Sequence, residues 1–479
     1  MRSARKLFFV IPMLFALDAF SARYIVSPSG NDTSAGGPWK TLQKAASTAV
    51  AGDSVLVENG TYKGFVCDAK SGTSTKRIVF KAINKGGATI NAPLGTGSEG
   101  SNDGIVIAGQ SFITIDGFEV TGAPRAGISI IGMNDDGSDA TDNIIRNCWS
   151  HNNGGTATAG RHDGIFTGFA RNITIENNTV NNNSEHGIYV SNAADNPVIR
   201  GNISHDNKAN GIQINADLST GGDGLISNWL IENNVVYANT GSAGINLDGV
   251  IKGILRNNLL YNNAKAGITL FQGDGTEASH DNVIVNNTVY NPNGSRAALQ
   301  VADGANNNVV FNNILYSGSG AGLEVQTVTG LVHDYNLVSK YDGATASSHE
   351  SSPAESGLFA NISSSDYKLS GNSGALNSGI ATLSGKSAPS TDILGNPRPA
   401  GAAFDRGCYE MLTQTVIDEP LRRLNQAALP EKTQKMFNLL GRHLLGNKTQ
   451  ADQIVILFNN KAYLEAKVVL HNGKNSGLE

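Results

Sequence analysis

The stretch Gly164–Asn192, GIFTGFARNITIENNTVNNNSEHGIYVSN, contains one pattern begun twice. Gly164 opens GIFTG, and Gly187, 23 residues on, opens GIYVS. Between them lies a second alternating run, ITIENN, closed by an Asn pair. Alternation turns Ile188 and Val190 to one side and Tyr189 and Ser191 to the other, the period of a β-strand. No helical spacing separates the runs, so each cycle is too short for a propeller blade. It fits one coil of a right-handed single-stranded parallel β-helix, whose coils stack at about 4.8 Å.

The pattern extends in both directions. Gly-led strands start at Gly104, Gly127, Gly164, Gly187, Gly211, Gly244, Gly267 and Gly322, with a degenerate member at Ala298. The Asn-ended strand recurs as WLIENN, GILRNN, VIVNN and VVFNN. Asn178, Asn234, Asn258, Asn287 and Asn313 then occupy equivalent turns and are expected to form hydrogen-bonded ladders. Where steps are long, the extra residues mostly follow the Gly-led strand: GMNDDGSDATD, ADLSTGGDGLIS and FQGDGTEASHD. Another insertion, GGTATAGRHD, precedes Gly164. Loops at equivalent corners emerge on one side and would wall a groove along the first strands.

The rest of the chain bounds the class. It has 479 residues, 39% of them apolar and 16% charged, with a net charge of −5. That balance excludes a disordered chain and gives no footprint for nucleic acid. Arg2, Arg5 and Lys6 precede LFFVIPMLFAL and then AFSA, so residues 1–22 read as a signal peptide and export to the medium, periplasm or cell surface is expected. No segment reads as a membrane span. Cys67, Cys148 and Cys408 form no CxxC pair, which leaves one disulfide with a spare thiol or three buried thiols. Trp39–Thr48 reads as an amphipathic helix capping the first coil. Residues 411–479 read as a small α+β accessory segment: helices over DEPLRRLNQAAL and EKTQKMFNLLGRHLLG, strands over QIVILF and AYLEAKVVL. The β-helix domain is thus 23–410, and a monomer is expected.

The opening of that domain, from YIVSPSGND onward, resembles the start of secreted β-helix proteins, including family 9 pectate lyases. DILGNPRPAGAAFDRGCYE, Asp392–Glu410, resembles the closing segment of carbohydrate-active β-helices. EHGIYVSN is similar to coils of mannuronan epimerases. These resemblances imply a glycan-acting protein. Family 9 pectate lyases carry an outward Lys on a Gly-led strand and an Asp cluster for calcium. This chain has Gln213 at that outward position and no Asp-Asp-Gly-Phe cluster.

Outward positions beside the Gly-led strands gather chemistry in consecutive coils. His162, Asp163, Glu185, His186 and Tyr189 are the candidate catalytic residues. Phe166, Gln213, Asn215, Asn246 and Phe271 are candidate substrate contacts, and Phe166 beside Tyr189 would form a sugar-stacking platform. Three functions compete. β-Elimination on a uronate polymer needs a base for the C5 proton, an acid for the leaving oxygen and a partner for the carboxylate: His186, Tyr189, and Gln213 with Asn215. Lys265 is an alternative base. Calcium would help an acidic protein hold an anionic polymer, with Asp217, Asp223, Asp248 and Asp274 as oxygen ligands. The run Asn134–Asp142 lacks the EF-hand order and reads as an acidic turn. Hydrolysis would use carboxylate pairs on adjacent coils, Asp163 with Glu185 or Asp217 with Asp248. The third function is glycan binding without turnover.

Overall fold

The structure is a computed structural model of the chain; it describes residues 21–95, 102–155, 161–192, 194–412, 436–437, 455–457 and 467–469. Three parallel sheets of 12, 11 and 11 strands run its length, and each coil gives one strand to each sheet. The coil from Gly187 shows the path: Ile188–Ser191, then Val198–Arg200, then Ile203–His205, then back to the first sheet at Ile212–Asn215. Coils stack residue on residue, Phe166 over Tyr189, Tyr189 over Gln213 and Gln213 over Asn246. Inward residues such as Ile165, Ile188, Ile212, Ile245 and Ile268 are fully buried. The third strand of each coil escapes a sequence reading. It follows the Asn pair at once and spans only about three residues, as in Thr179–Asn181 and Val235–Tyr237, too few for alternation to register.

Each Asn of a pair has its own task. The first, at 177, 233, 257, 286 and 312, holds a left-handed φ between 53° and 57° and turns the chain. The second joins a ladder in which Asn178, Asn202, Asn234, Asn258, Asn287 and Asn313 each pass a side-chain N–H to the next Oδ1 at 2.9–3.1 Å, ending on Asn336. Each Oδ1 also accepts the backbone N–H of the coil before, so buried turn groups are satisfied without water. A parallel ladder at the next corner links Asn153, Asn183, Asn207, Asn239 and Asn263. That second ladder explains the Gly that opens the five coils from Gly127 to Gly244. A Cβ on Gly164 would sit 2.6 Å from Asn183 Nδ2, and one on Gly211 would sit 2.7 Å from Asn239 Nδ2.

At the amino end the helix is shorter than expected, Leu42–Thr48, because Thr41 caps it by accepting the Lys44 N–H at 3.2 Å. Trp39 pairs with Val26 instead and stacks on Tyr24. Leu42, Ala45 and Ala46 bury the helix against the first coils. At the other end residues 358–411 fold back over the outside of the later coils, where Leu358, Phe359, Tyr367 and Cys408 cover Leu259, Tyr290, Ile314 and Leu337. Cys67, Cys148 and Cys408 are all free and buried, so the disulfide alternative falls.

The chain divides into two compact units, residues 1–413 and 414–479. In the second, Val455–Leu457 pairs antiparallel with Lys467–Val469, within the two expected strands. Met436–Phe437 pairs with Leu457 and Ile456, so a strand stands where a helix was expected: sheet pairing prevails over local propensity. The expected helix at 418–429 and all but two residues of the expected signal peptide lie outside the described residues. Among the described residues no helix is long and apolar enough to cross a membrane.

Candidate active site

The insertions do share a corner. The 216–225 loop meets the 272–276 loop through Leu218 N–H to Asp274 O and Thr276 N–H to Gly224 O. A third contact joins Asn192 Nδ2 to Asp217 O at 2.8 Å, so the wall stands beside the Tyr189 coil. The outward face beneath it is less wet than alternation suggests. Phe166, Gln213, Asn215 and His186 are only 7–9% exposed, because stacked coils pack their outward columns against one another.

The position before each Gly is a ladder in its own right. Asp163 Oδ1 accepts the His186 N–H at 3.1 Å, His186 Nδ1 accepts the Asn210 N–H at 3.2 Å, and Asn210 Oδ1 accepts the Ala243 N–H at 2.6 Å. A backbone donor on Nδ1 fixes the neutral tautomer of His186 with its proton on Nε2. Burial lowers the His186 pKa to about 4, so the ring is neutral at pH 7. Nε2 faces Glu185 Oε1 at 3.7 Å, and Glu185 Oε2 lies 3.7 Å from His162 Nδ1. His186 therefore presents a donor, which removes the expected reason for making it the base.

Tyr189 stands at the centre of the cluster. Its ring meets those of His186 and Phe166 edge to face, with centroids 5.1 and 5.4 Å apart. Its hydroxyl lies 3.4 Å from Asn215 Nδ2. Burial raises the phenol pKa above its usual value, against the hydrogen bonds from Ser191 and Asn215. Gln213 Oε1 accepts from Asn210 and Asn246, and Asn246 accepts from Thr269, so this amide row is a connected network. The expected aromatic platform is not formed: Phe166 and Tyr189 cross at 85°, and Arg161 covers the Phe166 face at 4.2 Å. Arg161, inside the insertion before Gly164, is the residue that sequence reasoning passed over. Its signal was a lone cation beside His162 and Asp163 in a small-residue loop.

Three of the four expected calcium ligands accept loop N–H groups. Asp217 Oδ1 accepts the Ser219 N–H, Asp223 Oδ1 the Leu225 N–H, and Asp248 the N–H groups of Gly273 and Asp274. Asp274 Oδ2 accepts from Asn215. Among the described residues the one trio of possible ligands within 4.8 Å is Asp163, Glu185 and His186, which includes none of the four. That donor set does not make a calcium cage. The hydrolytic pairs fare no better: Asp163 is fully buried, and Asp217 and Asp248 are committed to loop backbone. Phe271 is half-buried farther along the groove, and Lys265 is exposed at a turn.

Two family descriptions match the chain: Pel9A-like, right handed beta helix region, over residues 24–164, and right handed beta helix region over residues 216–388. Mannuronan C5-epimerase AlgE2 of Azotobacter vinelandii is 28% identical over 239 residues, which is 44% of this chain and 22% of that protein. AlgE5 of the same organism matches to the same extent. The chain thus aligns with 22% of the length of these curated relatives. The solved pectate lyase Pel9A superposes with a TM-score of 0.54 at 17% identity, over 82% of this chain and 97% of that one, a likeness of fold. The resemblance read from the opening segment and the repeat is matched by the first family over the amino-terminal coils.

Proposed function

We propose that this right-handed β-helix protein acts on a uronate-containing polysaccharide, removing the C5 proton and breaking the C4–O bond by β-elimination. The observation that carries the reading is Tyr189, set on the Gly-led face between a neutral His186 and the Asn215 amide. The substrate carboxylate sits against the His186 Nε2–H and the Gln213 amide N–H, which withdraw charge from it and acidify C5, while the Asn215 N–H steadies the Tyr189 oxygen. Tyr189, as phenolate, takes the C5 proton. The electron pair forms the C4=C5 bond, the C4–O bond breaks, and the phenol returns the proton to the leaving oxygen from the same face. No step passes through calcium.

The similarity to two mannuronan C5-epimerases favours a second reading of the same site. There the C5 proton leaves from one face and another arrives from the opposite face, with no bond to O4 broken. The test is incubation with alginate and pectate in deuterated buffer. A rise in ultraviolet absorbance from unsaturated uronate, with shorter chains, is expected. Deuterium at C5 without new chain ends selects the epimerase. New reducing ends without absorbance indicate hydrolysis, and binding with none of these leaves a glycan-binding groove; either overturns the proposal.

A further inference from the structure

Two members of the trio Asp163, Glu185 and His186, the carboxyl groups, have no part in the reaction above. Asp163 is fully buried, and its Oδ2 has no hydrogen-bond partner, while Oδ1 is held by the His186 N–H. The possible ligand atoms of the three residues lie within 4.8 Å of one another, which resembles a cation site. The chemistry of the donors argues otherwise. A metal on His186 needs the Nε2 lone pair, with Nδ1–H donating outward. Here Nδ1 accepts the Asn210 N–H at 3.2 Å, so Nε2 holds the proton. What remains is two carboxyl groups, one in a dry site, too close for both to ionise cheaply.

We propose that Asp163 is a neutral carboxylic acid at neutral pH, a positioning residue whose Oδ1 fixes the His186 backbone and whose carboxyl lies beside that of Glu185, so that the trio holds a proton and not a metal ion. The charged groups around it agree. Arg125 grips Asp103 at 2.7 and 2.9 Å, and Ser129 donates to the same side chain, so the Asp103 oxygens are partnered where Asp163 Oδ2 is not. The Arg161 guanidinium lies 3.6 Å from Asp103, and His162 faces Glu185. Burial first, then Glu185, push the Asp163 carboxyl well above the usual range, against the His186 N–H bond and Arg161.

The test compares thermal unfolding of the wild type and D163N across pH. A carboxyl that keeps its proton only when folded makes the folded state lose ground as pH rises above the unfolded pKa near 4, and the amide lacks that loss. The Tm advantage of D163N is therefore expected to grow by several degrees between about pH 5 and about pH 8. His186 titrates in both proteins, so its contribution cancels to first order. E185Q, altering a side chain 40% exposed, gives the same sign with smaller size and serves if D163N fails to fold. Adding CaCl2 or ZnCl2 to the wild type is expected to leave Tm unchanged. A pH-independent gap, or a metal-induced rise in wild-type Tm that D163N abolishes, overturns the proposal. None of these readouts requires turnover, so they stand or fall apart from the lyase reading.

Discussion

In the proposed mechanism Tyr189 is the single residue that decides the chemistry. If its phenolate is the base, the active fraction at neutral pH is small, because burial holds the phenol above its usual pKa. The rate should then climb with pH through the alkaline range and reach no plateau below about pH 10. His186 as base would give an acid limb instead, near its lowered pKa of about 4, with a flat rate through neutral pH. A kcat/KM profile against pH separates the two. Tyr189→Phe keeps the ring and its contacts with His186 and Phe166, and kcat should fall by roughly 10²–10⁴ with KM little changed. His186→Gln should cost about 10²–10³ and lower discrimination between the uronate and its methyl ester. A Y189F enzyme with near-normal kcat would remove the phenol from the mechanism. The sequence brought Tyr189 and His186 together because strand register is readable from the Gly repeats. It could not show which nitrogen of His186 carries the proton, since that depends on an N–H one coil away.

The coil turn is the element on which the solenoid rests, and adjacent residues in it should behave differently. Asn234 accepts two bonds from Asn202 and donates to Ile199 O and Asn258 Oδ1, all buried. Asn234→Ala strands donors on Asn202 and acceptors on two neighbours, and should cost about 3–5 kcal/mol in denaturant unfolding. Asn233, one residue earlier, has a φ of 56°. Asn233→Ala should cost only about 1 kcal/mol, and Asn233→Gly close to nothing. Equal losses at 233 and 234 would refute this division of labour. The Asn pairs were legible as a ladder because side chain and spacing repeat together. One other column was not. On the second sheet Asp116, Arg146, Glu176, Arg200, Glu232 and Arg256 lie in register with alternating sign, and the closest pairs are 2.7 Å apart. Each member stands alone in its own coil, so the alternation emerges only once every coil is aligned on the next. The loop bonds of Asp217, Asp223 and Asp248 were illegible for a related reason: the N–H groups that they accept lie within the insertions, where no repeat fixes position.

For the whole molecule the question is how far a local break travels. A stacked solenoid has mainly nearest-neighbour coupling, so damage at one end need not reach the other. The closing segment offers the sharpest test. Arg398 and Glu410 form a fully buried ion pair at 2.8 Å. Arg398 also donates to the carbonyls of Asp405 and Gly407, while Asn286 Nδ2, from a coil turn, donates to those same carbonyls. Asp392 accepts the N–H groups of Leu394, Asn396 and Glu410. This explains the motif DILGNPRPAGAAFDRGCYE in structural terms: its charged residues tie the segment to itself and to the outside of the later coils. Arg398→Met leaves Glu410 buried without its partner and should destabilise by about 3–5 kcal/mol. The loss should appear as early unfolding of residues 358–411, seen as new protease cleavage there, because Tyr290, Ile314 and Leu337 lose their cover. Arg398→Met with Glu410→Leu should recover most of it, since two apolar side chains replace the pair. The coils around Tyr189 lie several steps toward the amino end, so the proposed site should keep its activity while the closing segment is cleaved. Loss of activity in step with that cleavage would show the solenoid folding as a single cooperative unit, with the groove dependent on its far end.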